Sequence, residues 1–333
     1  MKGLLLLSAL SWATLVAVTG TLAAGPAPEA AASPASGDFS GLVDIGGRSL
    51  YLDCRGQGSP TVILEAGLDG RGDVWSRDAL RPPGERTMVQ QGVASFTRVC
   101  AYDRPGTLGV VNPELDPDGP DFYPSRSDPV PQPRTTRELT ADLHALLVAA
   151  EIPGPYVLAA HSAGGLVARL YASTYPAEVA GMVLIDTTNE NVWRDFKKVL
   201  TPAQYAKFEA GTVDNGELLA AYPEAERLFT APLADTASVS EVRQARKDAP
   251  LPPMPMVVLA HGIPFDAPID GWPTDEMEGV MLDSQRDIAS LVPDARLQVA
   301  TESGHDIHQD QPDLVIDAIA AVVTAVRDPS TWP

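Results

Sequence analysis

Cysteine is scarce in this chain: its 333 residues hold two, Cys54 and Cys100. Neither stands in a metal-ligand spacing, which excludes a cysteine-built metal centre. A lone pair of cysteines suits a disulfide in an oxidising compartment, with a catalytic thiol as the weaker alternative. Positive charge is also short, since 24 Lys and Arg face 44 Asp and Glu for a formal net charge of -20. Removing the +1 of Lys2 with a leader would give -21. Such a chain repels phosphate backbones at long range, so no nucleic acid partner is expected, and solubility outside the cell accounts for the acidity. Beyond the first residues no run is apolar enough to span a bilayer, and no internal repeat is found.

What is present begins with Lys2, the apolar run Gly3 to Val18, and Thr21-Leu22-Ala23-Ala24. These are the three regions of a secretory signal peptide, expected over residues 1–24 with cleavage after Ala23 or Ala24. Export to the periplasm, cell envelope or medium follows, with no membrane span left after cleavage; an uncleaved leader would instead anchor the chain. Residues 25–37, rich in Ala, Pro and Ser, suit a disordered tether. The remainder, 38–333, is long enough for one large α/β domain with an insertion.

The stretch Ala159-Ala160-His161-Ser162-Ala163-Gly164-Gly165 carries the chemistry. It joins the apolar run Tyr156 to Ala160, introduced by Pro153-Gly154-Pro155, to Leu166, Val167, Leu170 and Tyr171 at helical spacing, ended by Pro176. A serine on so sharp a strand-to-helix turn is strained and needs small residues two before and two after it. Here those are Ala160, where Gly is usual, and Gly164.

Other strand-like runs fall at 41–45, 49–54, 61–65, 98–102, 182–186, 256–260 and about 297–300. The third leads into Ala66-Gly67-Leu68-Asp69-Gly70, a turn whose backbone N–H groups would be free to bind an anion. Residues 105–135, crowded with Pro, Asp and Gly, read as a long irregular loop. Thr135 and Glu138 form a capping-box pattern ahead of a helix marked by Leu139, Leu143, Leu146 and Leu147. Residues 188–252 show mainly helical patterns and read as a helical cap. Pro312 opens a last helix.

With VILEAGLDG at 62–70, RVCAYDRPG at 98–106, AAHSAGG at 159–165, MVLID at 182–186 and SGHDIHQDQP at 303–312, the chain resembles the α/β-hydrolase fold superfamily from about residue 40 to 328. The resemblance implies a mostly parallel eight-stranded sheet flanked by helices, with a cap insertion. It puts Cys54 and Cys100 on adjacent strands, where a disulfide between them is reasonable. It assigns Ser162 as nucleophile, His305 as general base and acid, and the N–H groups of Leu68 and Ala163 as oxyanion donors. Family enzymes place the triad acid after either of two strands. Asp186 is favoured; Asp266, in the His261-Gly262-Ile263-Pro264-Phe265-Asp266 loop, departs by one residue from the usual Gly-x-x-Asp spacing.

The other histidines have plainer roles. His308 is expected to shape its loop, His161 to orient backbone, His144 to face outward from a helix, and His261, which could touch the site mouth, to be a packed or solvated loop residue. Asp103 and Arg104 are read as an ion pair fixing their turn. The function implied is an exported, carboxylesterase-like serine hydrolase that cleaves a small-molecule ester, or an amide or thioester, through an acyl-enzyme without metal or organic cofactor. A serine peptidase and a non-catalytic ligand-binding protein on the same fold are the alternatives.

Overall fold

The computed structural model describes residues 37–110, 122–213 and 216–332. The expected signal peptide and all but the last residue of the expected tether lie outside the described residues. Ten strands form: β1 (Phe39–Asp44), β2 (Ser49–Arg55), β3 (Val62–Glu65), β4 (Val99–Tyr102), β5 (Leu108–Val110), β6 (Phe122–Pro124), β7 (Tyr156–His161), β8 (Val179–Ile185), β9 (Met256–His261) and β10 (Arg296–Ala300). The helices are α1 (Val89–Ala94), α2 (Thr136–Ala149), α3 (Gly164–Thr174), α4 (Val192–Val199), α5 (Pro202–Val213), α6 (Gly216–Ala221), α7 (Ala237–Asp248), α8 (Thr274–Ala289), α9 (Ile307–Asp310) and α10 (Pro312–Arg327).

Eight strands make one sheet in the order β1-β2-β4-β3-β7-β8-β9-β10. β1 and β2, and β2 and β4, pair antiparallel, and every later neighbour is parallel. The burial patterns follow from that position. β3, β4, β7 and β9 are buried at every residue, as strands covered on both faces must be, whereas β2 alternates with a period of two. Successive side chains feed opposite layers. Leu158, Ala160, Leu184 and Val258 pack with Leu143 of α2 and Tyr171 of α3; Val157, Ala159, Val183 and Val257 pack with Val93 of α1 and Ile319 of α10. The Thr135–Glu138 capping box starts α2 with both reciprocal bonds in place.

Cys54 and Cys100 face each other across the β2–β4 ladder and are joined as a disulfide. Residues 188–252 hold α4 to α7, with Trp193, Phe196, Tyr205 and Val242 packed on Leu166 and Leu170 of α3. One expectation is corrected. The stretch read as a long irregular loop contains the antiparallel pair β5–β6, with Gly109 opposite Tyr123. Strands of three residues give too short a hydrophobic pattern to stand out among prolines. Among the described residues no helix is long and apolar enough to cross a membrane.

Candidate active site

The parallel strands deliver their functional residues at their C-terminal ends, where open α/β sheets bind ligands. After β7 the chain turns sharply into α3, and Ser162 takes a left-handed φ of 49°. The turn is held by Ser162 N–H on Ile185 O (3.1 Å) and by Gly165 and Thr188 N–H on Ser162 O (both 3.0 Å). A Cβ on Gly164 would stand 2.4 Å from Ala66 O, so that position admits only glycine. Ala160 lies inside the sheet opposite Glu65, completely buried, where one methyl fits the packing.

Ser162 Oγ lies 2.9 Å from His305 Nε2, and His305 Nδ1 lies 2.6 Å from Asp186 Oδ2. Asp186, at the tip of β8 with φ 44°, is held by its own N–H on Leu259 O (2.7 Å). Burial acts to raise its pKa, but hydrogen bonds from His261 and His305 hold the carboxyl well below the usual carboxylate range. Asp266, the alternative acid, is exposed and makes no hydrogen bond or ion pair among the described residues. The loop carrying His305 is fixed by Asp310 Oδ2, which accepts from Gly304 N–H and Ser303 Oγ (both 3.0 Å). His161 Nε2 meets His305 O at 3.0 Å.

On the other side of Ser162 lies the turn after β3. A Cβ on Gly67 would come within 3.1 Å of Ser162 Cβ, so the turn touches the elbow. Among the described residues no backbone acceptor takes the N–H of Leu68 or Ala163. Arg104, 3% exposed, holds this turn through Ala66 O (2.8 Å) and Gly67 O (2.5 Å). Its guanidinium also pairs with Glu65 (2.5 Å) and with Glu226 of the cap segment (2.7 Å). Asp103 instead takes both oxygens to Arg126 at 2.8 Å. The Asp103–Arg104 ion pair expected from sequence is thus not formed; neighbours at an extended strand end point to opposite sides and meet different partners.

His261 also differs from expectation. It is buried at the end of β9, with Nδ1 at 2.8 and 2.9 Å from the two oxygens of Asp186 and Nε2 at 2.8 Å from Glu278 Oε2 of α8. The signal for this contact is in the register. Ile185 pairs with Leu259, so Asp186 stands level with Ala260 and His261 only one residue beyond it. His144 is half-buried rather than outward-facing, stacked on Tyr175 at 4.0 Å with Glu178 at 3.3 Å. His161 and His308, whose rings lie 4.5 Å apart, are kept neutral: burial, then the His305 imidazole, lowers the pKa of His161 to about 3, and burial, then the His161 imidazole, lowers that of His308. With Asp306 they bring ligand atoms within 4.8 Å of one another. His161 Nε2 is committed to His305 O, and the His308 ring packs on Trp75 at 4.9 Å, so this cluster forms the floor beneath His305.

A family model described as the alpha/beta hydrolase family matches residues 47–318. The chain belongs to that family. An AB hydrolase superfamily protein of Gibberella zeae is 22% identical over 330 residues, covering 84% of this chain and 92% of its own. A Hormonema carpetanum protein described as a probable transporter, efuK, is 27% identical over 156 residues, 45% of this chain; that match spans only 19% of its length. Among solved structures, Cfl2 of Burkholderia cenocepacia is 18% identical with a TM-score of 0.57, over 86% of this chain and 96% of that one. A candidate lipase of Acinetobacter baumannii AYE is 18% identical with a TM-score of 0.53, over 88% and 93%. The two solved structures share this chain's fold, and the family accounts for the serine elbow at the end of a central strand.

Proposed function

We propose that this alpha/beta hydrolase is a serine hydrolase that cleaves a small-molecule carboxylic ester through an acyl-enzyme. The observation that carries the reading is the unbroken hydrogen-bond series from Ser162 Oγ through His305 to Asp186. His305 Nε2 takes the Ser162 proton as Oγ bonds to the carbonyl carbon, and Asp186 holds His305 in the tautomer that leaves Nε2 free to do so. The N–H groups of Leu68 and Ala163 receive the charge on the carbonyl oxygen. His305 then protonates the departing alcohol, and water, deprotonated by the same imidazole, releases the acid.

The leader-like N-terminus and the Cys54–Cys100 disulfide support action outside the cytoplasm. The test is covalent labelling with a fluorophosphonate, followed by an ester and peptide screen. Wild-type protein is expected to label at Ser162, while Ser162→Ala is silent and His305→Ala falls by at least ~10³-fold in rate. Asp186→Asn is expected to lose about 10⁴-fold and Asp266→Asn almost nothing. A folded wild type that stays unlabelled would favour a ligand-binding protein on this fold.

A further inference from the structure

The carboxylate of Asp186 is shared. Oδ2 faces His305 Nδ1 at 2.6 Å, and both oxygens face His261 Nδ1, at 2.8 and 2.9 Å, with the His261 backbone N–H adding a bond to Oδ1 at 3.2 Å. On the far side of the His261 ring, Nε2 faces Glu278 Oε2 at 2.8 Å, and Glu278 Oε1 is fixed by Phe265 N–H at 3.1 Å. An ionised carboxylate only accepts hydrogen bonds, and a neutral imidazole has only one N–H to give. A ring with a carboxylate at each nitrogen is satisfied as the doubly protonated imidazolium.

We propose that His261, kept as an imidazolium between Asp186 and Glu278, is a positioning residue that moderates the charge of Asp186 and so keeps His305 unprotonated, and Ser162 activated, in acidic solution. This rests on the acyl-enzyme reading above. Burial works against the charge on His261, but the bonds and charge of Asp186, and then of Glu278, outweigh it and hold its pKa up at about 9. Other ionisable groups near the ring are few. From β8 comes Asp186, from α8 Glu278, and from the loop after β10 His305; Phe265 of its own loop lays its ring 4.7 Å away. His161 of β7 and Asp306 stand beyond His305, the former kept neutral. A cavity of about 200 Å³ beside the ring is lined by Glu278 and by Pro264, Met281, Leu282, Gln285 and Val299, which add no further charge.

The consequence follows from counting charges. When Ser162 attacks, His305 becomes a cation and must share one carboxylate with another cation already there. His261 therefore disfavours proton uptake by His305, so the base stays available at a lower pH than Asp186 alone would permit, at a cost in basicity. An ordinary packing role for His261 makes no such demand.

The test is the fluorophosphonate labelling rate of the full chain against pH. In His261→Gln the acidic limb is expected to move up by about one pH unit. A limb that stays in place while the rate falls equally at every pH would overturn the proposal and leave His261 as packing. Because wild type is labelled in the same series, an unlabelled wild type would instead remove the acyl-enzyme reading beneath it. Should His261→Gln fail to fold, ¹⁵N-histidine spectra of wild type and Glu278→Gln decide the matter. Both His261 nitrogens are expected to carry protons at pH 7 in wild type, with the titration midpoint falling by at least about one unit in the variant; a neutral ring in wild type, or an unmoved midpoint, would sink the idea.

Discussion

Two buried charge clusters flank Ser162, and each places one cation between two carboxylates. On the oxyanion side Arg104 sits between Glu65 and Glu226; on the acid side His261 sits between Asp186 and Glu278. The charge pattern is the same and the cation differs. A guanidinium does not lose its proton in a protein, so the Arg104 cluster is a fixed fastening for the Ala66-Gly67 turn. An imidazolium does titrate, so the His261 cluster can adjust. Fixed donors suit a turn whose N–H groups must already be aimed before reaction. An adjustable partner suits the side where a proton moves.

The sharpest way to break this comparison is to remove the fixed cation. Arg104→Met strands two buried carboxylates, Glu65 and Glu226, each 1% exposed. It is expected to cost about 3–5 kcal/mol in urea unfolding and to stop fluorophosphonate labelling as the turn loses its anchors. Arg104→Lys, which keeps charge but loses the fork, is expected to recover stability in part and labelling poorly.

The adjustable side is expected to reveal itself through pH. The pKa of His261 is raised from 6.5 to about 9 on folding. The folded chain thus holds a proton that the unfolded chain releases, and the associated stability is complete below about 6.5 and lost as pH climbs through about 9. Urea midpoints at pH 6, 8 and 10 should fall by the equivalent of roughly 1–2 kcal/mol in wild type and stay flatter in His261→Gln. Equal slopes in both proteins would count against a charged His261.

The smallest effect concerns Asp69, whose N–H donates to Glu226 Oε2 at 3.1 Å. Burial, then the charge of Glu226, pushes its pKa up to about 7 from 3.8. The sign is the same as for His261: folding favours the protonated form, so stability is lost as pH rises, here from about 4 to 7. Asp69→Asn is expected to stabilise by about 1 kcal/mol at pH 8 and by nothing at pH 3, measured by thermal unfolding at both. A gain independent of pH would mean that Asp69 takes up no proton on folding.

The legible part of the molecule was its sheet, and the reason is local. β3, β7 and β9 are covered on both faces, so their apolar runs stand unbroken between turn residues. Ser162 and Asp186 each follow such a run, whereas His305 lies in the loop after the largely exposed edge strand β10 and was legible only through the SGHDIHQDQP stretch that carries the resemblance. The flanking clusters were illegible because their members are far apart in the chain: Arg104 and Glu226 are 122 residues apart, and His261 and Asp186 are 75. No short pattern joins them. Glu278 sits on α8, a helix that the sequence reading did not single out, and its role depends on which way that helix faces β9. Asp103 and Arg104 were misread for the opposite reason, because adjacency in sequence was taken as adjacency in space.

The two small residues beside Ser162 are unequal, and that bears on how such chains are found and altered. At Gly164 any side chain would run into the carbonyl of Ala66, whereas Ala160 already carries a methyl within the sheet. The motif that the fold enforces is therefore asymmetric, strict after the serine and lenient before it. A search demanding glycine on both sides passes over this protein, and a library built for new activities can vary residue 160 among small side chains but must leave 164 untouched.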